Sequence, residues 1–128
     1  MATWPGVTGD VVTSSMWNGL PAFTVQANKT TDYTAGSGDE YQQLVTMNKA
    51  TAIAFKIPTN ATYAFAIGTV ITVLNLGAGT CTISAVTSGT TTVVSAGAVS
   101  ASPTLAQYKT AVCIKTGTDT WVICGAIA

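Results

Sequence analysis

The sequence predicts an all-β fold: an antiparallel sandwich or a small barrel-like domain, preceded by a short irregular N-terminal arm with one short helix. Three observations carry this. From Tyr41 onward, short runs of alternating apolar and polar residues recur about every ten residues, separated by turns that contain Gly. The polar complement is mostly hydroxylic, with 24 Thr and 8 Ser, and β-branched Thr suits a pleated, half-wet surface while weakening helices. No long amphipathic helical period is present, and 128 residues is the usual size of one domain.

Residues 1–40 form the arm. It holds Pro5, Pro21 and five Gly, and its helical candidate has Thr13, Ser14 or Ser15 as cap with Met16, Trp17 and Leu20 at i, i+1 and i+4. Residues 34–40 (TAGSGDE) read as a loop. The β-domain spans residues 41–128. In 43–48, Leu44, Thr46 and Asn48 lie on one side, Val45 and Met47 on the other. In 51–57, Ile53, Phe55 and Ile57 share a face, and Pro58 ends the run. In 69–76, Val70, Thr72 and Leu74 oppose Ile71 and Val73, so both faces are largely apolar, as in a central or sandwiched strand. Gly77 and Gly79 make a tight connection into 80–86, where Cys81, Ile83 and Ala85 alternate with Thr82, Ser84 and Val86. Ser88 and Gly89 turn the chain into 91–95, and the Ala- and Ser-rich stretch 96–104 is looser. The clearest hairpin comes last, 109–115 and 120–124 joined through 116–119.

Charge is scarce. Five Lys and five Asp or Glu make 8% of the chain, against about a quarter in a typical soluble domain, and there is no Arg or His. A folded 13.0 kDa monomer exposes on the order of 6,000 Å². With zero net charge and a mean hydropathy of +0.43, such a surface is expected to self-associate, so much of it should be buried in a symmetric assembly. The scattered Lys give no phosphate-binding patch, which argues against a nucleic-acid partner. The first twenty residues lack the basic start and continuous apolar core of a secretory leader. The longest apolar stretch, 64–76, is broken by Gly68, Thr69, Thr72 and Asn75, so no membrane span is expected.

Catalytic chemistry finds little footing. The lack of His removes the commonest general base, the Ser-His and Cys-His nucleophile pairs and His metal sites. Cys81, Cys113 and Cys124 are odd in number and lack metal-ligand spacing, so small buried hydrophobe is the expected role. Cys113 and Cys124 would face each other across the last hairpin in one register and not in the next. Among Asp10, Asp32, Asp39, Glu40 and Asp119, the adjacent Asp39 and Glu40 come nearest to a glycan-cleaving pair or a calcium ligand set. Asp119 is read as hydrogen-bonding within its turn. The Gly36/Gly38 and Gly77/Gly79 pairs lack the following Lys and Ser/Thr of a phosphate loop, and neither extends to GxGxxG. The expectation is a protein that is not an enzyme, with no cofactor and no metal. Trp121 is expected in the core. Trp4, Trp17, Leu20 and Phe23 sit in an arm that cannot build a core of its own, and are the candidate partner contacts.

Two stretches resemble phage structural proteins. Residues 9–18 (GDVVTSSMWN) are similar to the opening motif of many tail-fibre and related virion proteins, where a G-[DE]-V-[VL]-T start leads into a small helix. Residues 44–48 (LVTMN), 57–58 (IP), 65–69 (FAIGT), 75–80 (NLGAGT) and 114–121 (IKTGTDTW) look like a β-domain of phage head-fibre, decoration and tail-fibre proteins. The resemblance covers most of the chain but rests on turns and strand ends and identifies no ligand. It implies an oligomeric, often trimeric, particle component located in the virion. A compact chain with one short arm suits a capsid decoration (cement) protein, a homotrimer bound to the major capsid protein on the outer surface of the head. The alternative is a head- or tail-fibre module that binds a host receptor or glycan.

Overall fold

The computed structural model describes residues 26–42, 44–99 and 101–127, so the helical candidate around Met16 to Leu20 lies outside the described residues. In chain order the elements are β1 (Tyr33–Thr34), α1 (Asp39–Gln42), β2 (Leu44–Met47), β3 (Ile53–Ile57), β4 (Val70–Asn75), β5 (Cys81–Ala85), β6 (Thr92–Ser95), β7 (Ala98–Val99), β8 (Thr104–Leu105), β9 (Thr110–Gly117) and β10 (Thr120–Gly125). They form two sheets, a four-stranded one in the order β1-β3-β5-β8 and a six-stranded one in the order β2-β4-β9-β10-β6-β7.

The all-β, sandwich-like architecture expected from the alternation is present. The pairing is mixed rather than uniformly antiparallel, and among the described residues neither sheet closes into a barrel. The reason lies in how the chain winds. From β1 to β6 it passes from one sheet to the other at every step, so successive strands within a sheet run the same way: β1 pairs parallel with β3, β3 with β5, and β2 with β4. Residue 44 stands opposite 72 in β2 and β4, and residue 53 opposite 81 in β3 and β5, an offset of 28 in both sheets (72 − 44 and 81 − 53).

The connections between these strands stack with the same offset. The backbone N–H of Leu76 donates to Met47 O at 2.7 Å and that of Gly79 to Lys49 O at 2.9 Å. A Cβ at Gly77 would collide with the backbone of Lys49, and one at Gly79 with the backbone of Thr51. The two glycines are therefore required by the close approach of one corner to the next, not only by the turn. Asn75, fully buried, locks the corner from inside: its Nδ2 donates to Gly79 O and Leu105 O, both at 2.9 Å, and its Oδ1 accepts from Gly77 N at 3.1 Å.

The final hairpin fills a gap left by this winding. In the six-stranded sheet β9 pairs antiparallel with β4, and β10 pairs parallel with β6, so the hairpin lies between the second and third turns of the winding. Its register sets Cys113 opposite Ile123 and Cys124 opposite Val112. The two thiols consequently point to opposite faces, Cys113 buried and Cys124 exposed, so Cys124 departs from the buried role expected of it. Burial pushes the Cys81 thiol up to about 11 and the Cys113 thiol higher still, so both remain protonated at neutral pH.

Between the sheets lies one core. Val45, Met47, Ile53, Phe55, Ile57, Ile71, Val73, Ile83, Leu105, Trp121 and Ile123 are all buried in it. Two expectations need correction. Asp39 and Glu40, at the end of the supposed loop 34–40, open a helical turn, Asp39–Gln42, with Asp39 buried, and the loose stretch 96–104 contains β7 and part of β8. Ala96 and Gly97 join β6 to β7 with φ of 52° and 81°, the two-residue hairpin geometry that Asn or Gly prefers.

Two stability outcomes are expected in urea unfolding. Gly79→Ala should cost about 3 kcal/mol or prevent folding, because the neighbouring backbone must move, whereas Ala78→Ser on the exposed crest of the same turn should stay within about 0.5 kcal/mol. Ala96→Gly should stabilise by about 1 kcal/mol by relieving a left-handed alanine. Equal effects for the two substitutions in the 77–79 turn would refute the stacked-corner account.

Candidate functional site

The side chains that carry chemistry are largely committed to the fold. Asp39, 1% exposed, accepts three hydrogen bonds: from Gln26 Nε2 at 2.6 Å, from Tyr33 Oη at 2.7 Å and from Gly36 N at 2.8 Å. Its neighbour Glu40 turns elsewhere, accepting from Gly38 N at 2.9 Å and Tyr63 Oη at 3.2 Å through Oε1. The adjacency that made them a candidate carboxylate pair is thus resolved into two separate anchors. Asp39 ties residues 26–36 to the helical turn α1, and Lys29 Nζ caps the arrangement 4.4 Å from the centre of the Tyr33 ring. Burial and then the Asp39 carboxylate hold the Tyr33 phenol well above its ordinary pKa of 10.0.

A second polar cluster sits at the hairpin end of the core. Lys115 continues the inward row Ala111, Cys113 and is 1% exposed. Its Nζ donates to Asn60 Oδ1 and to Phe65 O, each at 2.7 Å. Asp119, expected to hydrogen-bond within its own turn, instead reaches outside it: its Oδ1 accepts from Asn60 N at 2.8 Å and from Thr91 Oγ1 at 3.2 Å, joining the hairpin tip to two distant segments. Burial draws the Lys115 pKa down, opposed by the Asp119 charge. Trp121 is buried beside this cluster, edge-on to Phe65 with ring centres 5.6 Å apart, as expected of a core residue. Sequence reasoning passed over Lys115, although strict alternation from Ala111 already directs it inward.

Two concavities among the described residues are small. A cleft of about 50 Å³ is lined by Ser84, Ser88, Thr91, Val93 and Ser102 among others, and a more open one of about 200 Å³ lies beside Ser95 and Pro103. Both fall below the roughly 300–1,000 Å³ typical of small-molecule sites.

The outer face of the six-stranded sheet stands apart. Outward positions on neighbouring strands bring Val70, Ile114, Val122, Val94 and Val99 into one row, each the direct cross-strand partner of the next. A parallel row runs Leu44, Thr72, Val112, Cys124. None of the outward positions on the six strands carries a charge. Val99 is 68% and Val70 36% exposed, and the residues between are half-buried, so the face is open among the described residues. Sheets with one solvated face normally place polar residues there.

Trp4, Trp17, Leu20 and Phe23, the partner contacts expected from the sequence, lie outside the described residues.

The Tyr33–Asp39 bond gives a pH-dependent outcome. Because the folded phenol has the raised pKa, it keeps its proton where the unfolded phenol releases one, so its contribution is intact below about pH 10 and is lost as pH rises further. Thermal unfolding of Tyr33→Phe should show a loss of about 1–2 kcal/mol at pH 7 and a shallower decline above about pH 10 than the parent chain. Identical alkaline slopes would remove Tyr33 from this role.

Comparison with known proteins returns no match to this chain among protein families, curated proteins or solved structures.

Proposed function

We propose that this chain is a structural subunit of a phage particle: a capsid decoration protein that binds the outer surface of the head as a homo-oligomer, a trimer, and reinforces the shell through the major capsid protein. The observation that carries the reading is the uncharged outer face of the six-stranded sheet on a chain with only ten charged residues. Such a surface is suited to burial in an assembly rather than to a freely dissolved monomer. The likeness of residues 9–18, 75–80 and 114–121 to virion proteins supplies the kind of assembly. In this reading Trp4, Trp17, Leu20 and Phe23 reach onto neighbouring shell proteins, where apolar burial is worth roughly 25 cal/mol per Å² before ordering costs.

A second reading, a head- or tail-fibre module for a receptor or glycan, is favoured by one feature. Tyr108 is 72% exposed while its backbone is held at φ 63°, a conformation that a bulky residue rarely adopts.

Quantitative mass spectrometry of purified particles separates the two. A decoration protein should stand in a simple ratio to the major capsid protein, amounting to hundreds of copies, and deleting residues 1–25 should abolish its retention on the head. A few copies, or a few tens, would establish the fibre reading instead, and absence from the particle would overturn both.

A further inference from the structure

We infer that the outer face of the six-stranded sheet is the surface through which copies of this chain associate, sheet face against sheet face. The inference rests on reading the chain as an assembly subunit, but neither on which particle contains it nor on the trimer proposed there: like faces meet about a two-fold axis, so this contact joins copies in pairs and is distinct from a three-fold one.

Three observations select a second copy as the occupant. The first is size. Six strands about 4.8 Å apart and about five residues long at about 3.3 Å each cover on the order of 500 Å². Two opposed faces therefore remove roughly 1,000 Å² from water, the level at which a specific interface becomes sustainable. The second is chemistry. Branched aliphatic side chains and Thr hydroxyls fill the face from Val70 to Val99, and no charge interrupts it. It can meet an identical face at the ordinary sheet-to-sheet spacing of about 10 Å without burying an unpaired ion. A partner with a charged surface would have to desolvate those charges against a face that offers nothing to pair with them. The third is net charge. With five positive and five negative residues, two copies approach without mutual repulsion.

Cys124 provides a built-in reporter. It stands on this face beside Val112 and is exposed, whereas Cys81 and Cys113 are buried in the core. In a face-to-face assembly its thiol is covered; in a monomer with an open face it reacts as a surface thiol.

The test uses the full chain. Sedimentation velocity and maleimide labelling are measured for the parent protein and for Ile114→Lys and Val122→Lys, whose side chains point away from the core. The expected result is an oligomeric parent with slow Cys124 labelling, and monomeric, folded variants in which Cys124 labels about ten-fold faster or more. Should a variant not fold, dilution of the parent decides: protection of Cys124 must vanish together with the oligomer. A monomeric parent with freely reactive Cys124 overturns the inference, since the face is then open. A monomeric parent with protected Cys124 overturns it in favour of coverage by residues 1–25 of the same chain. An oligomer that persists in both variants places the contact elsewhere. None of these outcomes alters the particle copy number, which tests the virion reading separately.

Discussion

The constraint on which the rest of the structure depends is the stacking of one corner directly on another. The segment after β4 lies on the segment after β2 so closely that positions 77 and 79 admit no side-chain carbon. Once these corners are in contact, the strands on either side have no choice of register. The offset of 28 residues established at Gly77 over Lys49 and Gly79 over Thr51 is the same offset that pairs β2 with β4 and β3 with β5. A slip of one residue would turn Ile53, Phe55 and Ile57 out of the core and would drive a Cβ into backbone at the corner. Packing and sterics therefore enforce the same solution from two sides.

Asn75 shows how such a corner tolerates burial. A tight turn leaves carbonyl and amide groups pointing inward, where each unpaired group costs on the order of 1–3 kcal/mol. One primary amide offers two donors and an acceptor, and here it meets Gly79 O, Leu105 O and Gly77 N. The backbone of the same residue accepts from Tyr108 N and donates to Lys109 O, so the entry to the last hairpin is fixed by the corner as well. The hairpin then slots between β4 and β6, antiparallel to β4 through β9 and parallel to β6 through β10.

Most strands were legible in the sequence because alternation reports burial directly: the row Ile53, Phe55, Ile57 and the last hairpin, with Trp121 in the core, were read correctly for that reason. Pairing direction was not legible, since a half-buried strand alternates in the same way whether its neighbour runs parallel or antiparallel. The winding escaped notice because stacked positions share geometry, not identity: Lys49 under Gly77, Thr51 under Gly79, Leu44 beside Thr72. Asp39 was misjudged because nothing in the residues around it announces that Gln26 and Tyr33 converge on it from outside the loop. Lys115 was passed over, although its place in the alternation from Ala111 already turns it inward. The large sheet's outward valines were visible as apolar positions, but that they align into one row needed the register of five strands.

The disposition of charge connects this fold to its proposed role. Nine of the ten charged residues are described, and six of them are engaged within the chain: Asp39, Glu40, Asp119 and Lys115 as above, Asp32 accepting from Ala54 N at 2.9 Å, and Lys29 over the Tyr33 ring. Three lysines, Lys49, Lys56 and Lys109, remain, and none occupies an outward position on the six strands of the large sheet. In a protein that lives dissolved as a monomer, charge is commonly spread over the surface for solubility and against edge-to-edge and face-to-face association. Here it works mainly as internal fastening, while the outer face of the large sheet is left uncharged, with Val, Ile and Leu interspersed with Thr. A chain can sustain that allocation when the uncharged face is removed from water by something as uncharged as itself, and the simplest such object is another copy.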